Sequence, residues 1–122
     1  MNRTFAATGA ISALLAVTAG AFGAHALRSQ ISESLLVTWE TGARYQMYHA
    51  LGLLFVAIVA ADGNRLGIAA GWLLIAGTVL FSGSLYALAL TGVRGLGAIT
   101  PVGGLCFLAG WACLVLAILR RA

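Results

Sequence analysis

Charge is what this sequence has least of. Only 8% of its 122 residues are Asp, Glu, Lys or Arg, and lysine is absent altogether. A soluble domain carries about 25% charged residues because its surface must be wetted, so a soluble globule is excluded. The medium around most of this chain is lipid. All seven basic residues are arginines, and they are scattered, so the formal charge of +4 makes no patch. Nucleic-acid binding needs a concentrated basic surface, and nucleic acid is not an expected partner. The arginines read instead as span boundaries and as anchors to anionic headgroups.

Cysteine is nearly absent too. Cys106 and Cys113 both fall in the last apolar run. On a helix they would stand about 10.5 Å apart, and a disulfide needs its Cα atoms within about 7 Å. They read as small apolar residues and say nothing of redox compartment. Also missing are a nucleophile–base pairing, a phosphate loop and a metalloprotease signature, so neither an enzyme nor a bound cofactor or metal is expected.

What the chain has is four apolar runs, at about 5–27, 44–61, 66–90 and 100–119. The first covers roughly 34 Å as a helix, against a hydrocarbon core of about 30 Å. Its Arg3 start and Ala24-His25-Ala26 end imitate a secretory signal. The run is longer than a signal core, and a retained span is the expectation. Residues 32–43 are polar, with Leu36, Trp39, Ala43, Met47 and Ala50 at helical spacing. They predict a short amphipathic helix at the membrane surface, capped by Ser32 or Ser34, with Trp39 at headgroup level, running into the second span. Glu40 and Arg44 are spaced for an ion pair. Asp62-Gly63-Asn64-Arg65 is a turn, and Thr100-Pro101 reads as a cap and first-turn proline.

The expectation is therefore an all-α integral membrane protein of one domain, 1–122. It is a four-transmembrane-helix antiparallel bundle with an interfacial amphipathic helix between spans 1 and 2. Small residues at three- and four-residue spacing predict close helix packing: Gly20 with its neighbours in the first run, Gly67 and Gly71, and the stripe Gly103, Cys106, Gly110 and Cys113. Four spans put both termini on one side. Arg3, Arg65, Arg120 and Arg121 on that side, against Arg28, Arg44 and Arg94 on the other, favour cytoplasmic termini.

The scarce polar chemistry gathers in the prediction at one rim: His25, Arg28, Glu40, Arg44, Tyr45, Gln46, Tyr48, His49 and Tyr86. His49 would lie about five residues inside the second span, near the membrane face where His25 ends the first. Several readings fit. Tyr, Trp and Arg collect at interfaces as belt residues, with the histidines bracing a hairpin. Paired imidazoles suit a metal or haem. Arg and Gln with tyrosine walls suit a lipid headgroup, a quinone or another amphiphile. His25, His49 and Glu40 suit a proton relay. The expected role is an accessory or structural protein with a lipid- or amphiphile-binding pocket at this end. The alternative is a small transporter or proton-coupled channel subunit. Membrane lipid, a homo-oligomer or a larger membrane complex are the expected partners.

Four stretches carry a resemblance. They are Gly20-Ala21-Phe22-Gly23-Ala24-His25-Ala26-Leu27, Arg44-Tyr45-Gln46-Met47-Tyr48-His49-Ala50-Leu51, Phe81-Ser82-Gly83-Ser84-Leu85-Tyr86, and Thr100-Pro101-Val102-Gly103-Gly104 with Gly110-Trp111. Together they resemble the bacterial YgdD-type family, a domain-of-unknown-function family related to the eukaryotic transmembrane protein 256. The resemblance implies a multi-pass protein of the bacterial inner membrane with four spans. It implies no activity.

Overall fold

Residues 1–121 are described by the computed structural model. Four long helices follow one another: α1 (Arg3–His25), α2 (Glu33–Val59), α3 (Arg65–Thr91) and α4 (Thr100–Leu119). Each start has a local cause. Asn2 accepts the Phe5 N–H at the head of α1, Ser32 that of Leu35 at α2, and Asn64 those of Leu66 and Gly67 at α3. Such side-chain caps satisfy amide donors that a first turn leaves unpaired. Gly92 closes α3 with φ 70°, the left-handed conformation that glycine adopts without strain. Single 3-10 turns, Leu27–Ser29 and Arg94–Ala98, fill two of the three connections.

Two expectations change here. The polar segment 32–43 is no separate surface helix. It is the first half of α2, which runs unbroken for 27 residues, roughly 40 Å. No proline interrupts it, and Ser32 starts it eleven residues before the apolar run begins. Trp39 in this half is buried and donates its indole N–H to the Ala19 carbonyl of α1 at 2.8 Å. The stripe through Trp39, Ala43 and Ala50 packs inward, on α1 and α3. Thr100 likewise does not cap α4; its hydroxyl meets that of Ser84 on α3 at 2.6 Å.

The helices pack in chain order, each antiparallel to the one before. One end is tied by backbone and side chain together. The Asn2 N–H donates to Ala57 O at 2.8 Å, and Arg121 donates to Val59 O at 2.6 Å and pairs with Asp62. That guanidinium holds the Asp62 carboxyl below its ordinary range. The core holds Phe5, Leu53, Val56, Leu74, Phe107 and Leu114. Glycines let it close: a Cβ on Gly9 would stand 2.8 Å from Ala50 O, and one on Gly103 2.4 Å from the Phe81 amide nitrogen. Gly67, Gly71 and Gly110 are also contact points, against Ala60, Phe5 and Leu74, with Cys106 and Cys113 half-buried nearby. Gly20 faces open space, because α1 meets its neighbours through Gly9, Ala16 and Gly23.

The outside is apolar, with Leu14, Val17, Leu105, Leu108 and Leu119 each more than half exposed. Three helical segments, Arg3–His25, Arg65–Thr91 and Arg94–Leu119, are long and apolar enough to cross a membrane. This is an all-helical membrane protein, without strands among the described residues.

Candidate functional site

The starting point is where α2 puts its polar side chains. Because α2 begins at Glu33, His49 lies sixteen residues inside the helix and near the middle of the assembly. On α1 the residue beside it is Gly9, which packs on the Ala50 carbonyl, whereas Gly23 packs on Trp39. Sixteen residues, about 24 Å of helix, separate the level of Gly9 from His25. The two imidazoles therefore do not share a site. His25 is exposed at the end of α1, and Arg28 is exposed in the turn after it. The paired-histidine reading loses its geometry with them. Among the described residues no three His, Cys, Asp or Glu side chains lie close enough to hold a metal.

Glu40 and Arg44 do not pair; the ion pair among the described residues is Arg121–Asp62. Arg44, Tyr45 and Tyr48 are exposed, and the two tyrosine rings meet edge to face at 5.5 Å. Gln46 turns the other way, into the α1–α2–α3 contact. Its amide donates to the Ser12 carbonyl at 3.2 Å, and its oxygen accepts the Tyr86 hydroxyl at 2.6 Å. Tyr86 packs tilted against Trp39, centroids 4.6 Å apart, and Ser82 donates to Gly42 O at 2.7 Å. In this cluster the polar groups are spent on one another, which fits cross-bracing of three helices.

His49 is placed differently. It is only 5% exposed, and its Nδ1 lies 2.6 Å from the Tyr45 carbonyl one turn back. A carbonyl can only accept, so Nδ1 carries the proton, and in the neutral ring Nε2 is left as an acceptor. The face of the ring lies on Phe107 of α4, centroids 3.4 Å apart. Nε2 makes no hydrogen bond within the protein, yet no wholly enclosed side-chain nitrogen or oxygen lacks a partner among the described residues. It therefore reaches an accessible surface.

His49 lines a groove of about 420 Å³ between α2, α3 and α4, together with Tyr45, Phe81, Gly104, Phe107 and Trp111. A second groove, of about 390 Å³, runs on from Trp111 along Leu51, Phe55 and Ile118. Pro101 lies at the mouth of the first. Phe107, Trp111 and Ser12 were not singled out from the sequence as site residues. Phe107 and Trp111 stand four apart and share a helix face, but two aromatics in an apolar run look like any membrane-facing pair.

Comparison with known proteins gives relatives without an activity. Residues 19–104 match the family described as "Protein of unknown function (DUF423)". A UPF0382 membrane protein of Staphylococcus epidermidis is 50% identical over 120 residues, covering 98% of each chain. The UPF0382 membrane protein YwdK of Bacillus subtilis is 51% identical over 120 residues, covering 97% of this chain and 98% of its own. A UPF0382 membrane protein of Staphylococcus aureus is 46% identical over 120 residues, again covering 98% of each. No solved structure matches this chain.

Proposed function

The chain belongs to the DUF423 family of membrane proteins of unknown function, and from that premise we propose that it is a four-span accessory protein of the bacterial inner membrane which holds a membrane-soluble amphiphile in the groove beside His49. The connectivity supports four spans. The link from α2 to α3 is five residues long, Ala60–Asn64, so α2 ends at the surface where α3 begins. α2 also packs along α1 and α3, which favours its crossing the same thickness. The polar side chains nearest its middle, Gln46 and His49, face protein rather than lipid. Arg3, Arg65, Arg120 and Arg121 gather at one end, which supports cytoplasmic termini.

One observation carries the binding reading. His49 is buried, its Nδ1 is engaged by Tyr45 O, and it lines an aromatic groove that no other polar side chain but Tyr45 shares. Ligand pockets are mostly apolar, about 300–1,000 Å³, with a few placed polar groups. The first groove falls within that range. A transport role has less support: Glu33 and Glu40 sit in the polar half of α2 and Asp62 in the turn after it, so no acidic side chain lies along the middle of a helix.

Purification in mild detergent followed by native mass spectrometry tests the reading. A lipid-soluble adduct should stay with the native chain and be lost from Gly104→Phe, a residue whose Cβ would meet nothing within 4 Å and whose new ring would fill the groove. The same adducts on both chains would count against it. Reporter fusions at Gln30 and Gly63, which flank α2, should report opposite sides of the membrane if four spans cross.

A further inference from the structure

We propose that the occupant of the His49 groove is a hydroxyl-bearing lipid: its O–H donates to His49 Nε2, and its tail runs past Trp111 into the second groove. The inference rests on the binding reading above and names the chemistry of the ligand.

The polarity of the hydrogen bond decides the headgroup. With Nδ1–H engaged by Tyr45 O, the neutral imidazole offers an acceptor alone. A ketone, ester or ether would meet it lone pair to lone pair. An ammonium group can donate, but neither groove is lined by a carboxylate to balance its charge, and an unbalanced buried charge is costly. A carboxylic acid is ionised near neutral pH, and the carboxylate has no O–H to donate. A metal would find no cluster of three His, Cys, Asp or Glu ligands among the described residues. A neutral O–H satisfies Nε2 and leaves no charge behind.

The second groove supplies the tail. Trp111 lines both grooves, so they adjoin along α2 and α4. From Pro101 to Ile118 the combined seam follows α4 for about 25 Å, the reach of a long alkyl or prenyl chain. The other sizeable groove near a polar cluster, about 380 Å³ beside Trp39, Gln46 and Tyr86, offers no comparable handle. There the indole N–H goes to Ala19, and Gln46 serves Ser12 and Tyr86.

Two kinds of lipid bring an O–H: a phenolic ring with a tail, or an aliphatic alcohol. The test uses the full chain in phosphatidylcholine nanodiscs with three probes: para-dodecylphenol, its methyl ether, and dodecanol. Retention is read by native mass spectrometry against empty discs. The phenol should bind the native chain about tenfold more tightly than its ether, because the ether leaves Nε2 unpaired. His49→Phe, which keeps a flat ring and removes the acceptor, should bring that ratio to about one. Gly104→Phe should abolish both. Phenol above dodecanol would assign the ligand to ringed lipids, and equality to lipid alcohols; either supports the hydroxyl. Equal binding of phenol and ether by the native chain, with both lost in Gly104→Phe, overturns the inference while the groove stands. No probe retained above empty discs overturns both. The native-chain ratio decides even if His49→Phe fails to fold.

Discussion

The imidazole of His49 lies flat on the ring of Phe107, with the two planes parallel and their centroids 3.4 Å apart. This contact joins α2 to α4, which otherwise meet each other far less than their neighbours in sequence do. Phe107 is itself seated where Gly77 leaves room, and it leans on Phe81 at 5.4 Å. One face of the imidazole is therefore fixed by Phe107, and one edge by Tyr45 O. The remaining edge carries Nε2.

Phe107→Ala removes that seat. Large aromatic-to-alanine changes in a packed interior cost about 3–5 kcal/mol, and a loss of that order is expected in unfolding by denaturing detergent. A loss under about 1 kcal/mol would mean that the ring is peripheral.

Gly103 and Gly104 are adjacent and should behave oppositely. A Cβ at Gly103 would press on the Phe81 backbone, which cannot step aside as a side chain can. Gly103→Ala should cost about 1–3 kcal/mol, the usual range for overpacking. Gly104→Ala and Gly20→Ala meet nothing and should stay within about 0.5 kcal/mol of the native chain.

Tyr86→Phe deletes the donor that satisfies Gln46 Oε1. Hydrogen bonds between membrane helices average about 0.6 kcal/mol and reach about 1.7, so a loss near 1 kcal/mol is expected. A double-mutant cycle with Gln46→Leu should show coupling of similar size, and additive losses would show that the pair does not act together.

The Asp62–Arg121 pair gives acid sensitivity. Arg121 lowers the Asp62 carboxyl below its unfolded value of about 3.9. The stabilisation is thus fully present above that value and is lost as pH falls through the lower folded one. Thermal unfolding from pH 6 to about pH 2 should show the native chain losing more stability than Arg121→Gln. Parallel curves would show that the pair is too exposed to matter.

Much of this architecture could be read from the residues, and the errors share one cause. Apolar runs located the helices because lipid leaves the backbone no partner but itself. The turn at Asp62–Arg65 was legible from its residue types. Polarity does not mark where the second long helix starts: Ser32 caps one continuous α2 with Glu33, Ser34 and Arg44 on its exposed side and Trp39 and Gln46 on its packed side. A start eleven residues before the apolar run carries His49 from the rim to the middle, and separates it from His25. Gln46 and Tyr86 were visible as polar residues in apolar surroundings, but their bond spans 40 residues of chain and no local pattern announces it. Phe107 and Trp111 carry no chemical signal by themselves; only their position against His49 gives them a role.

Nitrogen-15 NMR of histidine-labelled protein in lipid bilayers reads the central feature directly, since the chain has two histidines and only one is buried. His49 should show a protonated Nδ1 and a bare Nε2, and adding para-dodecylphenol should move the Nε2 resonance while its methyl ether does not. A proton found on Nε2, or an Nε2 resonance indifferent to both compounds, would contradict the account.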